Sequence, residues 1–153
     1  MKIQNIMTRP VGFCQSDTNL AAVATMMCDK DCGIIPLVDS KQKLVSVITD
    51  RDICLAVASK HKKAEDMTAG EVKSGPVFTC KPDDDVKKAL GIMREKKVRR
   101  LPVVDPKGKL VGIVSLNDFA LVAEEKRSNA PTAAEILNTL KSICEHRSVA
   151  IAA

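Results

Sequence analysis

Shifting the 153-residue sequence by 66 positions lays residues 6–57 over 72–123 without a gap. Fifteen of the 52 pairs are identical, among them Pro10/Pro76, Val11/Val77, Cys14/Cys80, Lys30/Lys96, Pro36/Pro102, Asp39/Asp105 and Asp52/Asp118. Fourteen of the other 37 pairs exchange one apolar residue for another. A self-match this long at a fixed period means two copies of one structural unit. Neither copy carries enough apolar surface to stand alone, so the two must share a core, about an approximate twofold axis.

Each copy reads the same way. "PVGFC" and "PVFTC" are short extended pieces. "SDTNLAAVATMMCDKD" and "PDDDVKKALGIMREKK" open on helix-starting residues, Ser16/Asp17 and Pro82/Asp83. Their apolar positions (20, 23, 26, 27 and 86, 89, 90, 93) recur at helical spacing. "IIPLVD" and "RLPVVD" are buried strands, whose proline predicts a sheet edge or a strand start. Turns at "SKQK" and "PKGK" lead to the β-branched runs "LVSVI" and "LVGIV". The copies close with the helices "DRDICLAVASK" and "LNDFALVAEEK". The expected fold class is α+β: two tandem β-α-β-β-α units, over 1–60 and 72–126, with a connector at 61–71. The stretch "AEDMT" at 64–68 echoes "QNIMT" at 4–8. Residues 131–147 predict an amphipathic helix with a Thr132/Glu135 capping box and a stripe of Ile136, Leu137, Leu140, Ile143 and Cys144. That stripe covers the chain's own core or meets another subunit.

Composition narrows the chemistry. Aromatic residues are 2% of the chain, with no Trp or Tyr, so base stacking is not the main means of holding a nucleotide. The net charge of +5 is spread among acidic residues, and no recognition helix or finger spacing supports nucleic acid. No apolar run approaches membrane-spanning length and the start has no signal-peptide core, so the expected location is cytoplasmic. The six cysteines form no C-x-x-C pair. Cys14, Cys28 and Cys54 sit in apolar-patterned segments, which predicts buried thiols, although Cys28 and Cys32 with Cys14 have the chemistry for a thiolate site. No metal site is expected. "GEVKSGPV" has P-loop glycine spacing without the following Lys-Ser/Thr, and the zinc-protease and nucleophile-elbow signatures are absent. His61 and His146 lie in polar stretches. No catalytic residue and no enzyme activity are expected.

Each copy ends its last strand on a hydroxyl followed three residues later by aspartate: Thr49/Asp52 and Ser115/Asp118. One reading is a helix cap. The other is a ligand site, because a strand running into a helix N-terminus presents free N–H groups to an anion, and a carboxylate one turn on can accept ribose hydroxyls.

The doubled "GIIPLVD…LVSVITDRDI" and "RRLPVVD…LVGIVSLNDF" resembles a tandem pair of CBS (cystathionine-β-synthase) domains, a Bateman module, over about residues 1–125. The resemblance implies a non-catalytic regulatory module, often dimeric, that senses AMP, ADP, ATP or S-adenosylmethionine as effector, with no obligatory cofactor. It implies ribose contacts at Asp52 and Asp118 and phosphate contacts at Thr49 and Ser115. It places adenine between the first strand (Val11, Gly12; Val77, Phe78) and the second (Ile34, Ile35, Pro36; Leu101, Pro102). Basic residues precede the Leu-Pro of the second copy, Arg99 and Arg100, where the first has Gly33 and Ile34. The two clefts are therefore expected to differ, with phosphate on the Arg99/Arg100 side and Arg51 a weaker candidate. The implied partners are an adenine nucleotide, a second copy of the chain and a separate regulated protein, in energy sensing. The alternative is a structural or partner-binding dimer with empty clefts.

Overall fold

The computed structural model describes residues 1–123 and 130–145; residues 124–126 and 146–147 and His146 of the expectations above lie outside them. The first repeat holds α1 (Leu20–Asp29), β1 (Ile34–Val38), β2 (Leu44–Thr49) and α2 (Asp50–Lys60). A short helix α3 (Ala69–Val72) leads to the second repeat, with α4 (Val86–Lys96), β3 (Arg100–Val104), β4 (Leu110–Ser115) and α5 (Leu116–Leu121). Helix α6 (Ala133–Cys144) follows. The fold is α+β, two like units and a C-terminal helix.

In both units the strands pair antiparallel in equivalent register, Ile34 with Thr49 and Arg100 with Ser115, each with an irregularity at its fourth residue. The expected first strands are reduced to single parallel bridges, Cys14 to Leu37 and Cys80 to Val103. The prolines explain this. The Cys14 N–H donates to the Pro36 carbonyl and the Val38 N–H to the Cys14 carbonyl. Continuing that ladder would require residue 36 to donate to Gly12, and proline has no N–H. Pro102 has the same effect opposite Phe78. Both prolines are buried in the middle of their strands rather than at a strand start, and those strands are edges of two-stranded sheets, extended on the far side only by the single bridge.

Helices α1 and α4 start later than Ser16/Asp17 and Pro82/Asp83, which are used in turns closed by Thr18 N–H to Gln15 O and Asp84 N–H to Lys81 O. Asn19 and Asp85 cap the helices instead, accepting from the N–H groups of Ala22 and Lys87.

The units exchange their leading segments. Met1 accepts from the Val86 N–H, the Ile3 N–H donates to Asp84, and Ile3 is fully buried in the second unit's core beside Val86, Leu101 and Phe119. In the same way Met67 accepts from the Leu20 N–H, and Met67 and Ala69 are buried in the first unit's core beside Leu20, Ile35 and Ile48. The partner of Met67 under the 66-residue repeat is thus Met1, not the Met7 of the "QNIMT" echo. Lys43 bridges Lys109, flanked by Leu44 N–H to Gly108 O and Leu110 N–H to Gln42 O. Residues equivalent under the repeat pair with each other only on a twofold axis, so the pseudo-symmetry runs through this point.

Helix α6 packs on α4 and α5, with its Thr132/Glu135 capping box formed. The predicted stripe splits. Ile136 joins the second core and Thr139 is buried, whereas Leu137, Leu140 and Cys144 face out. No helix among the described residues is long and apolar enough to cross a membrane.

Candidate functional site

Residues 8–12 cross from one unit to the other. The Thr8 N–H donates to Ile113 on β4, and six residues later Cys14 pairs with β1. This crossing forms one wall of a cavity of about 410 Å³. Val11, Gly12, Ile34 and Ile35 of the first repeat face Ser115, Asp118 and Arg100 of the second across it. These seven site residues, read from widely separated segments, come together in one place. Pro36, Leu101 and Pro102 are buried within the sheets, and Arg99 is exposed and outside this lining. Thr49, Asp52, Val77 and Phe78 belong to the opposite side of the pseudo-axis.

Both hydroxyl-x-x-Asp pairs form local caps. Asp52 Oδ2 accepts from the Thr49 N–H (2.9 Å) and hydroxyl (2.7 Å), and the Thr49 oxygen accepts from the Asp52 N–H (3.2 Å). Asp118 Oδ2 accepts from the Ser115 N–H (2.7 Å) and hydroxyl (2.7 Å). The hydroxyl protons expected on phosphate thus lie on the neighbouring carboxylates. Asp52 has a further donor, the hydroxyl of Ser74. Ser74 is the repeat partner of Thr8, whose hydroxyl makes no such bond to Asp118 among the described residues.

Positions 12 and 78 differ as well. At Gly12 an ideal Cβ would lie 2.5 Å from Lys30 Cε, so the missing side chain is what lets the lysine stem lie across the backbone there. In the second repeat Phe78 takes that place, and the Lys96 ammonium sits 5.6 Å from its ring centroid.

Several lining residues were not read from the sequence as part of this cleft: Thr8, Lys30, Asp31, Cys32, Ile113 and Asn117. The signal for Lys30 was hidden in its identity with Lys96, because a lysine repeated in both copies reads as a solvated face. Cysteine placement corrects the buried-thiol expectation. Cys14 and Cys80 are buried, but Cys28, Cys54 and Cys144 are exposed and Cys32 is half-buried. Cys28 and Cys54 lie on the outer faces of α1 and α2, beyond the core stripes of those helices. Burial pushes the Cys14 thiol up to about 11 and Cys80 to about 12, each helped by a nearby aspartate, so both stay protonated. No group of three or more metal-ligating side chains occurs among the described residues.

The family model for the CBS domain matches residues 3–59 and 69–125. The chain belongs to the CBS domain family. An uncharacterised protein of Methanopyrus kandleri is 36% identical over 100 residues, 65% of this chain and 51% of that one. Inosine-5′-monophosphate dehydrogenase of Mycobacterium bovis is 34% identical over 114 residues, 74% of this chain but only 20% of the enzyme. This chain therefore spans about half the length of the first relative and a fifth of the second. Among solved structures, the CBS domain pair of protein MJ0100 in complex with 5′-methylthioadenosine and S-adenosyl-L-methionine aligns with a TM-score of 0.71 at 27% identity, covering 79% of this chain and 94% of that one. A CBS domain protein of Pyrobaculum aerophilum, complexed with AMP, shares the fold with a TM-score of 0.72 at 24% identity, covering 92% of this chain and 99% of that one.

Proposed function

We propose that this CBS pair is a non-catalytic regulatory module that binds an adenosine-containing ligand, AMP, ADP, ATP or S-adenosylmethionine, in the cleft at Asp118. The observation that carries this reading is the cavity in which Ser115 and Asp118 of one repeat face Val11, Gly12, Ile34 and Ile35 of the other. Asp118 uses Oδ2 on Ser115, which leaves Oδ1 to accept the two ribose hydroxyls. Adenine would lie against the aliphatic side chains of Val11, Ile34 and Ile35. The carbonyl of Gly12, to which Pro36 cannot donate, would meet the exocyclic amine. Arg100 would bind phosphate through its guanidinium fork. The adenosyl ligands of the related MJ0100 pair support the ligand class.

Binding would be read out through a homodimer and a separate regulated protein, in the cytoplasm, as part of energy sensing. The repeat-related Leu55 and Leu121, on α2 and α5, are 54% and 82% exposed, which supports a second copy as their cover. Light scattering of the full chain reads that state. A second reading, a dimer with empty clefts, is favoured by one observation: the Thr49 and Ser115 hydroxyls already satisfy their own aspartates.

Thermal-shift measurements with AMP, ADP, ATP, adenosine and S-adenosylmethionine separate the two, since a ligand bound only by the native state raises the melting temperature. At least one adenosyl ligand is expected to do so. Arg99→Ala with Arg100→Ala is expected to weaken AMP and ATP far more than adenosine. No shift with any ligand establishes the empty-cleft reading.

A further inference from the structure

The two hairpin turns, at 39–43 and 105–109, meet on the pseudo-twofold axis, and they meet through like charges. Lys43 and Lys109 form an antiparallel bridge whose hydrogen bonds come from the residues on either side, Leu44 N–H to Gly108 O and Leu110 N–H to Gln42 O. That is a non-hydrogen-bonded pair, in which the Cα atoms stand about 4.5 Å apart and the side chains leave on one face. Like charges placed directly opposite in this way destabilise. Lys41 and Lys107 flank the pair from the same turns. All four lysines are exposed, and none has an ion pair among the described residues. The carboxylates of the turns, Asp39 and Asp105, each spend Oδ1 on two backbone N–H groups, those of Lys41 and Lys43 or of Lys107 and Lys109. Four lysines against two carboxylates leave this end of the axis positive.

A second cavity, of about 200 Å³, opens beside it. Gln42, between Lys41 and Lys43, and Leu110, next to Lys109, belong to its wall. The rest is apolar, with Val38, Val111 and Phe13, which is 42% exposed. An exposed aromatic in an apolar hollow rimmed by unpaired cations suits a protein segment better than a nucleic acid, which would use the cations and not the hollow. We propose that this face docks an acidic segment of a partner protein, with carboxylates on the four lysines and one apolar side chain against Phe13. The face is distinct from the Asp118 cleft, but the two share a wall: Pro10 and Val11 of the crossing segment line both cavities. A ligand at Asp118 and a partner at Phe13 therefore press on the same two residues, and each changes the other's affinity by the same factor. This coupling rests on the adenosyl reading above; the docking face does not.

Fluorescence anisotropy of the full chain tests this with a labelled peptide of one leucine between two runs of aspartate. The same peptide with serine for leucine and a single-stranded oligonucleotide of equal charge are the comparisons. The leucine peptide is expected to bind saturably, about fivefold or more tighter than the serine peptide and tighter than the oligonucleotide. Lys43→Glu is expected to weaken it about tenfold while the apo melting temperature holds or rises, since the substitution turns a repelling pair into an attracting one. No saturable binding, equal binding of both peptides, tighter binding of the oligonucleotide, or an unchanged affinity in Lys43→Glu overturns the proposal. So does a fall in mass on light scattering in Lys43→Glu, which assigns the face to a second copy. Saturating AMP, or whichever adenosyl ligand raises the melting temperature, is expected to change the affinity for the leucine peptide about threefold or more. An unchanged affinity with that ligand bound overturns the coupling alone. The absence of a melting shift with any adenosyl ligand overturns the adenosyl reading while the docking face stands.

Discussion

The two hydroxyl-x-x-Asp sites begin from the same strand, turn and helix, yet their surroundings differ. At Asp118 the crossing segment brings Thr8, which leaves the carboxylate alone, and Gly12, which makes room for Lys30. At Asp52 the equivalent segment brings Ser74, which donates to the carboxylate, and Phe78, which takes the room and holds Lys96 over its ring. The backbone is repeated faithfully and the divergence lies in what crosses over from the other unit. Duplication thus supplied two frames, and side chains from the crossing segments made them unequal.

Transplanting the second cleft's wall into the first is the severest way to break this comparison. Gly12→Phe forces the Lys30 stem off the backbone and sets a ring at the wall of the cavity. AMP affinity is expected to fall about a hundredfold while the apo melting temperature holds within a few degrees, because the displaced neighbour is the far end of a flexible side chain. Titration calorimetry beside a thermal melt reads both. An undiminished affinity would mean that the openness at Gly12 is irrelevant.

A smaller effect separates Ser74 from Thr8. Ser74→Ala removes a donor from a half-buried carboxylate and is expected to lower stability by about 1 kcal/mol, a few degrees in Tm. Thr8→Ala is expected to change stability by less than half of that. Equal losses would show that the Ser74 contact does not distinguish the clefts.

A further effect lies in the alkaline range. Burial holds the Cys14 and Cys80 thiols protonated up to about 11 and 12, whereas in the unfolded chain they release protons near their ordinary value of 9.0. Above pH 9 the unfolded state binds fewer protons than the folded one, so stability falls as pH rises and is fully present below that range. Both thiols contribute to the fall. Melts between pH 8 and 10.5 of the parent, Cys14→Ala and Cys80→Ala chains check this, with a flatter profile expected in each variant.

The period-66 repeat made the units, their two paired strands and both aspartates legible, because identical residues at fixed spacing survive any local ambiguity. The exchange of leading segments was not legible. Met1 and Met67 are equivalent by packing, but the visible echo pairs Met7 with Met67 across a six-residue offset. Ser74 escaped notice because its bond to Asp52 spans 22 residues and two units. Residue type alone gives no direction for such a contact. The α6 stripe was read correctly as apolar but not as divided, since periodicity sets which residues share a face and not how much of that face a neighbour covers. The central prolines were read as marking a sheet edge or a strand start, and they mark edge strands from within. What was not legible is that the missing N–H truncates the neighbouring piece, which leaves the Gly12 carbonyl without that donor beside the cavity.

The central claim is that Asp118, and not Asp52, anchors the ligand. Thermal shift with saturating AMP on Asp118→Ala and Asp52→Ala tests it most directly, each compared with its own apo melt to remove the cost of the lost cap. The account predicts that Asp118→Ala abolishes the AMP-induced rise and that Asp52→Ala retains nearly all of it. An equal loss in both variants, or a loss only in Asp52→Ala, would contradict it.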